Sequence, residues 1–324
     1  MFVKPSPILS HMPSHVLDSI VNDLDNVSKL SLRQCSYNFK EIIDKSPAHL
    51  PYVFVELKKY SIQIGASLDD KTPRNVEFHQ GNKVTIVKNT RLNTQRTIKG
   101  RDFMEMAAEK LCRVFKNPKV SIDLLRFVMT PQSQSDHGYK ARISKFLDHL
   151  EIALDSLKHG KQLKVTSFSM VSYGSEEDLL KILPRFRPGV LETLKLGNRD
   201  LHQENRHFTK ITELEQWKKA KKISADNTLH WPLHTLANFQ EARTVTEEIK
   251  LEHVQGAVEM FLKNPQMQLL EVTGRIHSDH EEIEEYIQKF QHCDGYGRIE
   301  TPGTKGFLKL YLEDDCMAVQ RCQG

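Results

Sequence analysis

The chain has 324 residues, of which 39% are hydrophobic and 27% are charged, and its formal net charge is +4 at pH 7. This balance is typical of a folded protein that buries a core and excludes a disordered chain. The net positive charge is too small to predict nucleic-acid binding by itself. The five cysteines are scattered and form no CxxC pair, which favours reduced thiols over a disulfide framework.

The apolar segments predict a protein that works inside the cell, in the cytoplasm or the nucleus. Residues 1–17 contain Lys, His and Pro where a secretory signal would need an unbroken apolar stretch. No apolar run approaches the roughly 18 residues that a membrane-spanning helix needs. We therefore expect no membrane partner.

Short helices are predicted over residues 8–45. Pro13 suits the first turn of a helix, where the missing N–H costs nothing. Apolar residues then recur at helical spacing along one face. They are Val16, Leu17, Ile20, Val21 and Leu24, followed by Val27, Leu30 and Leu32, and then by Phe39, Ile42 and Ile43. A unit of this size buries little surface, so we expect a partner or a neighbouring domain to cover its apolar faces.

A β-rich region with one helix is predicted over residues 51–119. Tyr52–Leu57, Ile62–Ile64 and Val84–Val87 are rich in β-forming residues. The amphipathic segment Phe103–Phe115 predicts a helix, and Asn117-Pro118 ends it.

Strands and helices alternate from residue 120 to residue 324. Strands near Val165, Leu191, Arg243 and Met267 indicate strand–helix units of roughly 25 residues, with a weakly formed unit around Lys222–Ser224. That period favours a curved, leucine-rich-repeat-like αβ domain, and an ordinary open α/β sheet is the alternative. The fold class is therefore α+β, with small helices preceding an αβ repeat domain.

Local signals place several helix ends in this region. Ser175–Asp178 and Thr212–Glu215 have the spacing of capping boxes, and the second precedes a helix that contains Trp217. Gly160 stands where a helix C-terminal cap is expected. The segments Tyr296–Glu300 and Phe307–Leu312 predict a hairpin.

Motifs that carry chemistry are missing from the sequence. It contains no GxSxG, GxxxxGK[ST] or GxGxxG, so we expect no catalytic residues, no cofactor and no enzymatic activity. His230 and His234 are spaced like metal ligands, but Pro232 lies between them and no HExxH motif surrounds them, so no metal site is predicted. Cys112 is expected to pack as a small apolar residue.

Two basic segments leave a second function open. Residues 71–101 hold eight Lys/Arg against one acidic residue, Glu77, and four lysines cluster beside Trp217. Phosphate or an acidic protein could bind such a surface. Neither segment has interleaved aromatic residues, an RNP signature or a zinc-finger frame, so a solvated surface is the preferred reading and nucleic acid is not expected as a partner.

The N-terminal pattern resembles the F-box. The resemblance is carried by Met12-Pro13, by the apolar positions after it, and by the run Leu32-Arg33-Gln34-Cys35-Ser36 followed by Phe39 and Ile42-Ile43-Asp44. The family usually has leucine at the position of Met12 and valine at the position of Cys35. Both replacements keep an apolar side chain.

Two longer strings resemble the FTH domain, which follows an F-box in a family expanded in nematodes. The first is Leu183-Pro184-Arg185-Phe186-Arg187-Pro188-Gly189-Val190-Leu191-Glu192, and the second is Leu214-Glu215-Gln216-Trp217-Lys218-Lys219-Ala220-Lys221. The resemblance implies three parts. They are an F-box at 8–45, a linking region at 51–119 and an FTH-like domain at 120–324.

The resemblance implies a non-catalytic adaptor of an SCF-type (Skp–cullin–F-box) ubiquitin ligase. The F-box would dock on a Skp-family subunit and through it on a cullin, while the FTH domain would hold an unknown target protein near the ubiquitin-charged enzyme. The residues implied as Skp contacts are Met12, Pro13, Val16, Leu17, Ile20, Leu24 and Leu30. For each of them, burial inside the helical unit itself is the alternative.

Three other functions compete with the adaptor. The departures at Met12 and Cys35 allow an interaction scaffold with a degenerate F-box. The basic stretch at 71–101 allows a nucleic-acid binder. A third possibility is an enzyme whose fold the motifs do not reveal.

Overall fold

The computed structural model describes residues 12–323, except for residues 25, 68–73, 118, 130–135, 137, 158–161, 172–174, 198–207, 229–232, 277–279, 294–295, 302–305 and 314. The described chain divides into two compact units. The first unit takes the described residues up to Phe127 and those within 131–136 and 144–166. The second takes those within 128–130, 137–143 and 167–324.

The first unit starts with helices and continues with strands. The helices are α1 (Ser14–Asp23), α2 (Asn26–Arg33) and α3 (Tyr37–Lys45). The strands are β1 (Ala48–Leu57), β2 (Ser61–Ser67), β3 (Arg74–Gln80), β4 (Val84–Asn89) and β5 (Thr94–Lys99). Helix α4 (Phe103–Phe115), strand β6 (Val120–Met129) and helix α5 (Tyr139–Asp155) follow; β6 up to Phe127 and α5 from Ser144 onward belong to this unit.

Strands β1 to β5 form an antiparallel meander in the order β1-β2-β3-β4-β5, and β6 lies on the other side of β1. Alternate residues of β1 and β2 are buried, among them Val53, Val55, Ile62 and Ile64. Helix α4 covers this face and contacts β2 and β3. Its N-terminal cap is Asp102, whose carboxylate accepts the N–H of Met104 at 2.7 Å. The predicted β-rich region and its helix are confirmed.

The second unit alternates strands and helices before it ends in antiparallel strands. Its first elements are β7 (Lys164–Val171), of which Ser167 onward belongs to this unit, α6 (Glu176–Leu180), β8 (Thr193–Gly197), α7 (Glu215–Lys219) and β9 (Lys222–Thr228). Next come β10 (Glu241–Ile249), α8 (Leu251–Lys263), β11 (Leu269–Ile276) and α9 (His280–Gln288). The last are β12 (Gln291–Cys293), β13 (Tyr296–Glu300), β14 (Phe307–Glu313) and β15 (Cys316–Cys322).

The strands of the second unit are ordered β7-β8-β9-β10-β11-β15-β14-β13-β12. Strands β7 to β11 pair in parallel and in chain order, because each helical connection returns the chain to the next position in the sheet. Strands β15 to β12 then pair antiparallel. Alternation of strands and helices is thus confirmed, and so is the hairpin formed by β13 and β14.

One hydrogen-bond pattern recurs where β9, β10 and β11 begin. In each case, one backbone carbonyl directly before a strand accepts hydrogen bonds from two successive backbone N–H groups at the start of the next strand in the chain. The acceptors are Glu192, Lys221 and Gln240, and the donors are the pairs Lys221–Lys222, Gln240–Glu241 and Gln268–Leu269, at 2.7 to 3.2 Å. The spacing between the acceptors along the chain is not constant, so the strand starts repeat without a fixed sequence period.

Some sequence-based predictions need correction. The unit around Lys222–Ser224 is not weakly formed, since β9 pairs with both β8 and β10. Strand β8 begins at Thr193 rather than at Leu191, which is buried in the turn before it. Gly160 lies outside the described residues.

The two predicted capping boxes have different outcomes. Ser175 and Asp178 form the predicted box at the start of α6. Thr212 does not cap α7, because residues Ile211–Glu213 form a 3-10 turn and the N-terminal cap is Leu214. The hydroxyl of Thr212 instead donates to the carbonyl of Thr209 at 2.7 Å.

The start of α1 also differs from the prediction by one position. Pro13 is the residue before the first helical turn rather than within it, with φ −55° and ψ 143°. Its carbonyl accepts the N–H groups of Val16 and Leu17 at 3.0 and 3.2 Å. None of the helices that the structure describes is both long enough and apolar enough to cross a membrane.

Among the described residues of the second unit, Trp217 is the largest fully buried side chain, with 1% of its surface exposed. We expect Trp217→Ala to lower the free energy of unfolding by about 3–5 kcal/mol, because it opens a cavity of aromatic size. Urea denaturation checks this value. The control is Tyr37→Ala, which removes a ring that is 76% exposed and should change stability by less than about 0.5 kcal/mol. Equal losses in both variants would contradict the packing described for Trp217.

Two glycines should respond to alanine in opposite directions. Gly274 lies beside the register shift in β10, where a Cβ would stand 2.5 Å from the carbonyl oxygen of Thr246. Because backbone must move to admit it, Gly274→Ala should cost about 1–3 kcal/mol of stability. Gly256 lies inside α8, where a Cβ would meet its nearest atom at an ordinary 3.8 Å. Gly256→Ala should therefore stabilise by about 0.8–1 kcal/mol, measured by the same denaturation.

The cysteines should differ in reactivity. Burial raises the pKa of the Cys112 thiol to about 12, so the thiolate is absent near neutral pH. Cys35 is exposed. We expect iodoacetamide to alkylate Cys35 in the native protein and to spare Cys112 until urea unfolds the chain, as followed by mass spectrometry. Alkylation of Cys112 at the rate of Cys35 would contradict the burial.

Candidate functional site

Helices α1 and α3 share a small apolar core. Leu17 and Val21 of α1 pack against Phe39 and Ile43 of α3, and all of them are less than a tenth exposed. Partly buried side chains close the edges of this cluster; they are Met12, Leu32 and Ile42. These contacts use one side of α1 for internal packing and leave the neighbouring side to solvent.

A stripe of incompletely buried apolar residues remains along α1. Val16, Ile20 and Leu24 are spaced four residues apart, so they lie one above the other along the helix, and Pro13 is exposed at the start of the row. We call these four residues the α1 stripe. Each is either half-buried or exposed. An apolar row of this kind is suited to contact with another protein.

The residues predicted to contact Skp therefore divide into groups. Pro13, Val16, Ile20 and Leu24 lie together on the α1 stripe. Leu17 is 4% exposed and lies inside the cluster. Burial within the helical unit was the alternative to a Skp contact for this residue. Met12 packs against the edge of the same cluster. Leu30 lies in α2, and its side chain is outside the described residues.

An ion pair joins α2 to α3. The guanidinium of Arg33, at the end of α2, donates from Nε and Nη2 to the two carboxylate oxygens of Asp44 at 2.6 and 3.0 Å. The hydrogen bond to Asp44 raises the pKa of Arg33. Ser36 caps α3 by accepting the N–H of Phe39 at 3.2 Å. The turn between α2 and α3 is thus fixed by side chains at both of its ends.

The two departures from the F-box pattern fit their surroundings. Cys35 is exposed, and its thiol donates to the carbonyl of Ser31 at 3.4 Å. Met12 is an apolar residue at the edge of an apolar cluster. Among the described residues of the helical unit, no buried side-chain polar atom lacks a hydrogen-bond partner.

The first string that resembles the FTH domain folds as a turn segment whose apolar side chains Leu183, Phe186 and Leu191 are buried. Residues Leu183–Arg185 form a 3-10 turn, and the ring of Phe186 packs on that of Phe168 with centroids 5.0 Å apart. Gly189 has φ +80°, a conformation that favours glycine. Phe186 and Leu191 are fully buried. The string therefore serves packing.

Hydrogen bonds join the second string to the first. The buried side-chain amide of Gln216 donates to the carbonyls of Phe186 at 2.7 Å and Pro184 at 3.3 Å. The indole of Trp217 donates to the carbonyl of Thr235 at 3.1 Å and packs edge-on against Phe239. These distinctive residues hold the fold together, and sequence reasoning could not tell this role from a binding role.

The lysines beside Trp217 are engaged with carboxylates. Lys218 and Lys219 pair with Glu215 on α7, and Lys221 pairs with Glu192 at 2.6 Å. Lys222 pairs with Glu241 at 2.5 Å. The cluster is therefore balanced by Glu215 on the same helix and by Glu192 and Glu241, which the fold brings into contact with it.

No cluster of metal-binding side chains is found in the part of the chain that the structure describes. No group of three or more His, Cys, Asp or Glu side chains there could hold a metal ion. His234 is exposed, and its predicted neighbour His230 lies outside the described residues. His234 lines an open cavity of about 580 Å³ between α8 and the 3-10 turn Leu233–Leu236.

Comparison with curated proteins identifies a relative in Caenorhabditis elegans, the F-box A protein 224. It is 24% identical over 263 residues, which cover 78% of this chain and 64% of the relative. The chain thus spans less than two thirds of the relative's length. No solved structure matches the chain.

Comparison with protein families matches the two regions where the sequence resemblances lie. Residues 9–50 match the F-box domain and include α1, α2 and α3. Residues 147–292 match the FTH domain and include both buried strings. The chain carries an F-box domain at its N-terminus and an FTH domain in its C-terminal part.

Proposed function

We propose that this chain is a non-catalytic, substrate-recognition adaptor of an SCF-type E3 ubiquitin ligase. Its F-box would dock on a Skp-family subunit and through it on a cullin, and its FTH domain would hold a target protein. The observation that carries the proposal is the F-box match at residues 9–50 together with the apolar α1 stripe within it. An adaptor needs no catalytic residue of its own, because it accelerates transfer by holding the target near the charged enzyme.

The proposed Skp contact is the α1 stripe, formed by Pro13, Val16, Ile20 and Leu24. The neighbouring side of α1 packs in the cluster around Leu17. In this proposal, Leu17 holds α1 in position and does not contact the Skp-family subunit. Partner binding would bury the apolar surface of these side chains that is still exposed to water. Each Å² buried in this way would contribute about 25 cal/mol to the binding free energy. Met12 and Leu30 complete the proposed set of Skp contacts.

We also propose the domain boundaries and the shape of the target-binding part. The F-box would occupy residues 8–45, the linking region 51–119 and the FTH-like domain 120–324. The strand–helix units would form a leucine-rich-repeat-like curved domain. This is supported by the parallel order of β7 to β11 and by the recurring hydrogen bonds where β9, β10 and β11 begin. The protein would act inside the cell, in the cytoplasm or the nucleus.

The test of Skp docking compares two single substitutions on α1. Ile20→Lys places a charge in the α1 stripe, whereas Ser19→Lys adds the same side chain at an exposed neighbouring position of the same helix. We expect Ile20→Lys to weaken binding of a purified Skp-family protein by more than about tenfold, because an ammonium would have to enter an apolar contact. Isothermal titration calorimetry on the full chain measures both affinities.

The control and the stability check decide the outcome. Ser19→Lys should bind within about twofold of the wild type, and both variants should show the wild-type thermal melt. If the wild-type chain does not bind the Skp-family protein, the adaptor is excluded and an interaction scaffold with a degenerate F-box remains. If Ile20→Lys binds as tightly as the wild type, the docking surface is not the α1 stripe.

A further inference from the structure

The hairpin of β4 and β5 is an unusually basic surface of the first unit. The segment from Lys83 to Lys99 contains five basic residues and no acidic residue. They are Lys83, Lys88, Arg91, Arg96 and Lys99. Glu77 stands opposite Lys88 in the register of β3 and β4 and also bonds to His79 at 2.9 Å, while Glu105 and Glu109 of α4 both bond to Arg101. The positive charges of Arg91, Arg96 and Lys99 are therefore left without a carboxylate partner among the described residues.

Strand β5 is also the outermost described strand of the meander, and we call its free side the open edge. In the strand order it is the last member, and β4 is its neighbour on one side. Apart from Ile98, which is half-buried, its side chains are exposed. A strand in this position offers unpaired backbone groups to any other chain of suitable sequence.

The register shows which backbone groups point outward. The N–H of Gly100 donates to the carbonyl of Lys83 at 3.3 Å, and the pairing of Val84 with Lys99 continues this ladder. Because hydrogen bonds alternate between the two sides of an antiparallel strand, the backbone groups of Gln95, Thr97 and Lys99 point away from β4. These residues form a row of donors and acceptors along the open edge.

The charge selects the kind of strand that could pair there. If β5 paired with β5 of a second copy of this chain, Arg96 and Lys99 would face the basic side chains of that copy. Repulsion between these like charges opposes pairing between copies. An acidic strand would meet opposite charges, because Arg96 lies on one face of β5 and Lys99 on the other. Nucleic acid would use the cations but not the row of backbone groups, so the open edge favours a polypeptide.

We propose that β5 is a docking edge for an acidic, extended segment of a partner protein, which adds to the sheet as a further strand. Backbone hydrogen bonds to Gln95, Thr97 and Lys99 would supply the pairing, and the basic side chains of the hairpin would supply the selection for acidic residues. The α1 stripe takes no part in this contact. The proposal therefore stands or falls separately from Skp docking.

The experiment uses the full chain and a fluorescently labelled peptide in which glutamate alternates with threonine. We expect this peptide to bind, as measured by anisotropy at low salt, and a matched peptide with lysine in place of glutamate not to bind. The double variant R96E/K99E should weaken binding by about tenfold or more, because two attractive charges become repulsive. The matched control is K195E/R275E, which makes the same charge change at exposed strand positions of the second unit and should bind as the wild type does.

A further variant separates strand pairing from charge alone. Thr97→Pro removes an N–H that points to the open edge and is not part of the ladder with β4, and edge strands tolerate proline. It should weaken peptide binding severalfold without lowering the melting temperature appreciably. A thymidine oligonucleotide serves as the phosphate probe.

The outcomes either support or overturn the proposal. Loss of peptide binding in both R96E/K99E and Thr97→Pro, with retention in K195E/R275E, supports it. It is overturned if the wild type does not bind the acidic peptide, or if R96E/K99E binds it as well as the wild type. Equal peptide binding by Thr97→Pro overturns strand addition. Binding of the oligonucleotide but not of the peptide assigns the hairpin to phosphate instead and also overturns the proposal.

Discussion

The starts of three parallel strands in the second unit, β9, β10 and β11, are each fixed by a backbone carbonyl that accepts two successive N–H groups. Glu192, Lys221 and Gln240 act in this way for β9, β10 and β11. Since a one-residue slip turns every side chain of a strand to the opposite face, these bonds decide what is buried. They align a fully covered row across the sheet, formed by Leu194, Ile223, Ala242 and Leu270. The aromatic packing around Trp217 and Phe186 then fills the space beside a sheet whose register is already set.

The same register arranges the charges on the solvent side. Lys222 stands opposite Glu241, and Arg243 stands opposite Glu271 at 3.1 Å. Exposed pairs of this kind each contribute at most about 1 kcal/mol, so they do not hold the sheet together. They balance its charge locally and leave little net field for attracting a partner. The β4–β5 hairpin differs from this surface because its five basic residues face one cross-strand carboxylate, Glu77 opposite Lys88, so most of its positive charge acts outward.

The periodicity of apolar residues predicted the helices and strands that have one buried face and one exposed face. It failed for elements that are exposed on nearly all sides. Helix α4 was found because its buried residues recur every three or four positions. Strand β5 was missed because nearly all its side chains are exposed, so no apolar alternation marks it. On α1, Val16 and Leu17 are adjacent apolar residues, and only the positions of Phe39 and Ile43 decide that Leu17 turns inward. Thr212 has the spacing of a cap, but the 3-10 turn Ile211–Glu213 competes for the same residues.

The connection between the F-box helices and the meander is very short. Helix α3 ends at Lys45 and β1 begins at Ala48, so Ser46 and Pro47 alone join them. The hydroxyl of Ser46 donates to the carbonyl of Ile43 at 2.9 Å, and the amide of Asn117 donates to the carbonyl of Ser46 at 2.7 Å. A glycine-rich tether would let an attached protein sweep a wide volume. This two-residue connection, held by two hydrogen bonds, instead restricts how far α1 can turn relative to the meander. A protein held on α1 would therefore keep one orientation relative to β1 and α4.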